Sequence, residues 1–422
     1  MRHPVTVVVI GAGNRGARVY GDYIANHSGV IKTVAIAEPD SYKRGVFAEK
    51  HNIGQDLQFE SWKDLLKREK LADGIIIATL DTMHVEPAII ALEKGYKILL
   101  EKPIAINWEE TCKLVQKSKE LNGQVLVAHV LRYTPFYRKL KQILSSEIIG
   151  RLRFVDHIEN IGYYHFAHSY VRGNWRNTAE AAPIILAKSC HDMDLIYWLT
   201  GKKCIQLSSS GSLEYFTVDH FPVDAAERCL DCSVVDDCPY AAQKIYLTEE
   251  EDWPVSVITD DFSYDGRIKA LREGPYGRCV YKCDNNVPDV QTVRMTLEDN
   301  LEVNFALTAF SSEITRKTTF FGTKGEIRAD FEAGEIIIDS FGTDIKKLEL
   351  NAPGEGHGGG DAGLMDHFVQ LLRGDNITGK GINNKDNFIA DSTTIEDSIE
   401  SHKMAFAAEK SRLEGETVKL HK

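Results

Sequence analysis

The chain has 422 residues, with 50 Lys and Arg against 62 Asp and Glu and a formal charge of −12. That balance argues against the concentrated basic face of a nucleic-acid binder, and no apolar run approaches the length a membrane span needs. The length suits two domains that each bury a core. The first strand begins by Val5 and leaves no room for a signal peptide, so a cytoplasmic location is expected, with the eight cysteines as thiols or metal ligands.

Val5 to Ile10 is an unbroken apolar run, which suits a strand buried on both faces of a parallel sheet. It ends in Gly11-Ala-Gly13-Asn14-Arg15-Gly16, and a helical segment to Asn26 follows. A pyrophosphate needs backbone N–H groups at close range, and side chains at these glycines would block its approach. The second apolar strand, Ile31 to Ala37, ends at Glu38, 22 residues beyond Gly16. A carboxylate there accepts hydrogen bonds from ribose hydroxyls and repels a 2′-phosphate, so NAD is expected in preference to NADP.

Strands at 74–78, 97–100 and 125–129 alternate with helices at 42–51, 62–70, 85–93 and 107–122, the pattern of a doubly wound sheet. Ligands bind beyond the carboxyl ends of such strands. Thr79, Asp81 and His84 follow one strand, Glu101-Lys102-Pro103 the next, and His129 the last. GxGxxG, the acidic residue, Ala78-Thr79-x4-His84 and EKP together resemble the glucose–fructose oxidoreductase, inositol dehydrogenase and rhizopine-catabolism (Gfo/Idh/MocA) family. The resemblance covers the first domain and much of the second. It implies a Rossmann domain over 1–128 and an α/β domain over 129–422 with a large, mostly antiparallel open sheet. It also makes Lys102 a catalytic candidate beside the nicotinamide, with Pro103, often in a cis peptide, aiming it.

In the second domain, Tyr163, Tyr164, His165, His168, Tyr170, Arg172, Trp175 and Arg176 form an aromatic and cationic cluster. Aromatic faces stack on sugar C–H faces while Arg and His bond hydroxyls, so Tyr163, His165 and Arg172 are read as substrate contacts. The resemblance places a Trp-Arg pair, here Trp175 and Arg176, near the cofactor. His191-Asp192-Met193-Asp194-Leu195 matches the family's active-site helix, but the Asp usual four residues before the His is Ala187, with Lys188 next to it. His191 is then the expected base, Lys188 a substitute electrostatic partner and Asp192 a substrate contact; Cys190 as nucleophile has nothing to support it.

An insertion at about 215–290 carries Cys229-x2-Cys232-x5-Cys238 and later Cys279 and Cys283. The first three with Cys279 could supply four thiolates to a structural zinc, with an iron–sulfur cluster as second choice and unligated thiols as the plain reading. From Thr292 the chain alternates as antiparallel strands whose uncovered face would meet another subunit in a homodimer or homotetramer. His357-Gly-Gly-Gly-Asp361 then precedes a helix, with Asp361 as its N-cap and His357 as a substrate contact.

The expected function is NAD-dependent hydride transfer to or from a secondary hydroxyl of a sugar, glycoside or cyclitol. The alternatives are a glycoside hydrolase or lyase that uses tightly bound NAD transiently, and a non-catalytic ligand sensor, against which Lys102 counts.

Overall fold

The computed structural model describes residues 3–350, 355–374 and 392–421. The chain forms two compact units, both discontinuous: residues 1–147, 190–202 and 350–406 make the first, and 148–189, 203–349 and 407–422 the second. A boundary at residue 129 thus leaves out two later segments that pack into the first unit.

The first unit holds a six-stranded parallel sheet built from β1 (Val5–Ile10), β2 (Ile31–Ala37), β3 (Gln58–Phe59), β4 (Gly74–Ile77), β5 (Lys97–Leu100) and β6 (Val125–Val127), in the order β3-β2-β1-β4-β5-β6. The order reverses between β1 and β4, and that crevice is where such sheets bind dinucleotides. The apolar runs serve two cores at once. Val5, Val7 and Val9 face one cluster and Val8 and Ile10 the other, as the two-residue period of a strand requires. Helix Gly360–Arg373, far along the chain, covers the first of these faces with Leu364, Met365, Phe368 and Leu372. Gly74 lets it approach, since a Cβ there would lie 2.5 Å from Leu372 Cδ2. Helix Cys190–Thr200 joins the same unit through Lys141, whose Nζ donates to the Trp198 carbonyl at 2.5 Å.

The second unit carries a nine-stranded sheet in the order β14-β13-β12-β11-β7-β10-β9-β8-β15. Its strands are β7 (Leu152–Asn160), β8 (Cys204–Ser212), β9 (Val290–Leu297), β10 (Leu301–Thr308), β11 (Thr315–Gly322), β12 (Gly325–Asp330), β13 (Glu335–Ser340), β14 (Lys346–Glu349) and β15 (Val418–Lys419). All pairs are antiparallel except β7 with β10. Val293, Met295, Val303, Phe305 and Leu307 alternate onto the buried face, while Arg294, Asn304 and Asp156 point to solvent. The insertion between β8 and β9 contributes short helices, and aromatic stacking anchors it to residues 163–170: Phe216 on Phe166 at 5.3 Å and Tyr276 on His168 at 4.7 Å.

Candidate active site

The three glycines after β1 do three different jobs. Gly11 has φ +93°, and a Cβ there would stand 2.4 Å from the Ala78 carbonyl oxygen; a Cβ on Gly16 would stand 1.9 Å from the Gly11 oxygen. Both are required by the fold's own packing. Gly13 is different: among the described residues, apart from its chain neighbours, nothing lies within 4 Å of its Cβ position. It opens the helical segment Asn14–Gly21, so free N–H groups and the positive end of the helix face that space. An open glycine at a helix start is the cradle a pyrophosphate fits. Glu38, at the end of β2, points back at this turn, its Oε2 accepting the Ala12 N–H at 2.7 Å and its Oε1 the Asp40 N–H at 3.0 Å. A carboxylate has about four lone-pair sites, so acceptor capacity remains for ribose hydroxyls.

Beyond β4 and β5 the expected contacts divide. The Thr79 hydroxyl donates to the Met83 carbonyl at 3.0 Å, and Asp81 opens the short turn Asp81–Met83. His84 is fully buried, its Nδ1 2.7 Å from the Pro103 carbonyl and its Nε2 3.3 Å from the Thr79 carbonyl. It ties the two loops together instead of reaching a cofactor. The Lys102–Pro103 peptide is cis. Arg15 and Glu101, also expected at the cofactor, meet each other: Arg15 Nε donates to Glu101 Oε1 at 2.5 Å and Nη2 to Asp361 Oδ1 at 2.7 Å. Tyr20 donates to the same Glu101 oxygen at 2.5 Å. Burial alone would raise the Glu101 pKa, but Arg15, Tyr20 and Lys102 outweigh it and hold the carboxyl below its usual value.

Asp361 is therefore not the N-cap the sequence suggests. Gly359, at φ +81°, occupies that position, and Asp361 sits in the first turn, accepting from Arg15 with His357 Nδ1 3.0 Å away. Burial would raise its pKa too, and Arg15 with His357 pulls it well below the carboxylate range. Tyr20 and Asp361 are the residues that sequence reasoning missed here. Arg15 inside GxGxxG was the available signal, since a half-buried cation draws anions to it.

Around Lys102 the first unit gathers histidines. The rings of His129 and His191 lie 5.7 Å apart between centroids, those of His191 and His357 6.2 Å, and those of His129 and His402 5.5 Å. Burial, with Arg132 and Lys102, drives His129 well below its ordinary pKa. This residue is fully buried and serves as neutral packing where a cofactor contact was expected. Asp194 does not orient His191, because Arg132 grips both its oxygens at 2.6 and 2.7 Å. Asp192 is buried in the same helix, away from solvent. Cys190, pushed up to about 12 by burial, is no nucleophile. The charge of Lys102 acts on both His129 and Cys190, which places the end of β5 beside the start of the His191 helix.

Residues 5–129 match the family model described as "Oxidoreductase family, NAD-binding Rossmann fold" (GFO_IDH_MocA). That family is the Gfo/Idh/MocA oxidoreductases, and the match lies within the first domain. It is 24% identical over 319 residues to "Putative oxidoreductase YteT" of Bacillus subtilis (strain 168), covering 72% of this chain and 73% of that one. It is 26% identical over 213 residues to "Inositol 2-dehydrogenase" of Corynebacterium glutamicum (strain R), covering 49% of this chain and 57% of that relative. Its fold resembles the WlbA dehydrogenase from Bordetella pertussis, solved with NADH and UDP-GlcNAcA, with a TM-score of 0.65, 15% identity and coverage of 99% of each chain.

In the second unit the expected site residues have partners of their own. Lys188 Nζ lies 3.2 Å from Glu159, a fully buried residue on β7 that also pairs with Arg316 at 2.9 Å. The charge of Lys188 is thus matched within its own unit, which weakens the role of substitute electrostatic partner. Arg176 is held bidentately by Asp284 at 2.8 Å, and the Trp175 N–H donates to the Ser169 carbonyl at 3.3 Å. Arg176 thereby fastens the end of the insertion. Tyr163 is 36% exposed and packs edge-on to Tyr164 at 5.6 Å, while His165 packs edge-on to Trp253 at 4.7 Å. Arg172, expected at the substrate, is 1% exposed and donates to the carbonyls of Arg278 and Tyr240, both at 2.8 Å.

The four cysteines expected as ligands, Cys229, Cys232, Cys238 and Cys279, line one cavity together with Arg172. All eight thiols are free. Among the described residues, no three His, Cys, Asp or Glu groups stand gathered at coordinating range, so no preformed metal centre is present there. Nor is any described helix long and apolar enough to cross a membrane.

Proposed function

We propose that this chain transfers hydride between bound NAD and a secondary hydroxyl of a sugar, glycoside or cyclitol. The observation that carries the reading is Lys102, set on a loop clamped by His84, beside the start of the His191 helix and at the carboxyl end of the sheet that bears the open Gly13 cradle. NAD, when bound, supplies the hydride acceptor. Gly13, Asn14 and the N–H groups behind them hold its pyrophosphate, and Glu38 holds its adenosine ribose. Thr79, Asp81 and Pro103 frame the nicotinamide side. Lys102 donates a hydrogen bond to the substrate hydroxyl and stabilises the oxygen as negative charge builds there. The imidazole of His191 takes the hydroxyl proton and returns it in the reverse direction. In the first unit, His357 and Asp192 are the proposed substrate contacts. Eight free thiols suit the reducing cytoplasm, and the open face of the nine-stranded sheet suits a homodimer or homotetramer.

A panel of sugars, glycosides and cyclitols followed by NADH absorbance tests the reading, with at least one giving stoichiometric NADH. Ala187, in place of the usual Asp, favours a second reading: transient oxidation by tightly held NAD, bond cleavage, then re-reduction. In that case a glycoside is consumed with no net NADH. No turnover of any member and no bound NAD would sink both.

A further inference from the structure

Four thiols, three from the run 229–238 and one from Cys279, line one cavity. Cys229 and Cys232 flank a tight turn in which the Cys232 N–H donates to the Cys229 carbonyl at 3.3 Å. A second turn faces it, with the Cys279 N–H donating to the Glu227 carbonyl at 2.8 Å and an Arg228–Arg278 bridge joining the two. Cys238 closes the cavity between them, and the remaining lining is largely apolar, from Pro222, Ala225, Val234 and Val280. Cys283, the other candidate in the insertion, turns its Sγ to the Cys279 carbonyl at 3.3 Å and does not line the cavity.

Arg172 supplies the independent observation. Its guanidinium lies inside this apolar wall, 1% exposed, with Nη1 lacking any hydrogen-bond partner and Nη2 3.4 Å from Cys229 Sγ. Its hydrogen-bonded partners are carbonyls and that sulfur, with no carboxylate among them. A buried cation without an anion is costly by several kcal/mol. The acidic groups acting on it are the Tyr246 hydroxyl, which burial keeps neutral, and the thiols of Cys229 and Cys283.

We propose that Cys229, Cys232, Cys238 and Cys279 bind one zinc ion as thiolates, with Arg172 offsetting the excess negative charge of the tetrathiolate. Zinc with four sulfurs carries a net charge of about −2, which the guanidinium partly neutralises. The thiols stand too far apart to count as a preformed centre. Turning a cysteine between staggered rotamers moves its sulfur by about 3 Å. Binding therefore turns Cys229 from the Arg278 carbonyl, 3.7 Å away, toward the ion.

The test is elemental analysis of the full chain expressed with zinc and iron both supplied, together with alkylation of Cys232 and Cys238. One zinc per chain is expected, with both thiols protected until a chelator strips the metal. The cobalt-substituted protein should show the visible bands of a tetrahedral tetrathiolate. Cys232→Ser and Cys238→Ser should lose the metal and lower the Tm while binding of NAD, read by fluorescence, persists; Cys112→Ser should keep it. Arg172→Met should weaken zinc by about 10–100-fold, the range for groups supporting a ligand shell. Folded protein without metal, in which both thiols alkylate as fast before chelation as after, overturns the proposal. Iron with labile sulfide overturns the choice of zinc. None of these readings depends on turnover, so they stand apart from the fate of the dehydrogenase reading.

Discussion

The glycine turn of the first unit and the cysteine-bearing insertion of the second are built on opposite plans. At the turn the backbone is the functional part: Gly11 and Gly16 are forced by main-chain packing, and Gly13 leaves open space at a helix start. In the insertion the backbone is irregular, and side chains hold it: Phe216 on Phe166, Tyr276 on His168, and Arg172 and Arg176 reaching carbonyls and Asp284. A site made of backbone depends on a few glycines at fixed spacing. A site made of side chains depends on partners a hundred residues away.

The largest effect that would sharpen this contrast lies in the catalytic pair. Lys102→Ala and His191→Ala should each lower kcat by about 10²–10⁴, with NAD affinity nearly unchanged in steady-state and binding assays. If either variant kept wild-type kcat on a confirmed substrate, the roles given to that residue would be wrong. The glycines separate binding from folding. Gly13→Val should abolish NAD binding with Tm nearly unchanged, since its Cβ meets only open space, whereas Gly16→Ala should prevent folding, its Cβ lying 1.9 Å from a backbone oxygen. Loss of fold in both would mean that Gly13 is structural as well.

The contrast also explains what the sequence made legible. The alternating apolar runs, the glycine spacing and Glu38 are local patterns, and the sheet order and cradle follow from them. Helix Gly360–Arg373 carries its own apolar face, but nothing in its residues says that it covers β1. Arg172 and Arg176 stand in an aromatic stretch that reads as a sugar surface, and only the fold brings the insertion's carbonyls and Asp284 to them. Lys188 was read against the missing Asp at Ala187 because they are adjacent, while its partner Glu159 is 29 residues earlier on β7.

That ion pair gives the next test. Glu159→Ala leaves Lys188 and Arg316 without their shared buried anion, a loss of about 3–5 kcal/mol measurable by chemical denaturation. Lys188→Ala should destabilise less, because Arg316 still compensates Glu159. A stable Lys188→Ala protein with kcat lowered as far as in His191→Ala would restore the catalytic role. Glu38→Arg should move the ratio of NAD to NADP dissociation constants by at least tenfold, about 1.4 kcal/mol, by calorimetric titration. Wild-type binding of both cofactors with equal Kd would remove Glu38 as the discriminator.

The smallest expected effect compares one buried histidine from each unit. Burial lowers His402 to about 3, with His129 and Lys102 pushing the same way and Ser398 and Asp194 opposing. Burial, then Arg172, lowers His168 to about 3 as well. The folded value of each lies below the unfolded one of about 6.5, so the unfolded chain binds more protons between them. Their contribution to stability is fully present above about pH 6.5 and is lost as pH falls toward 3. The consequences differ. His402 Nε2 accepts the Ile104 N–H at 2.9 Å, so protonation there breaks a bond at the base of the loop that carries Lys102. His168 meets the Tyr246 hydroxyl at 2.9 Å, and its protonation loosens the insertion instead. Denaturation midpoints should fall from pH 7.5 to pH 5, and His402→Gln and His168→Gln should each flatten that slope. A midpoint that stays level across this range would show that neither histidine is held neutral by the fold.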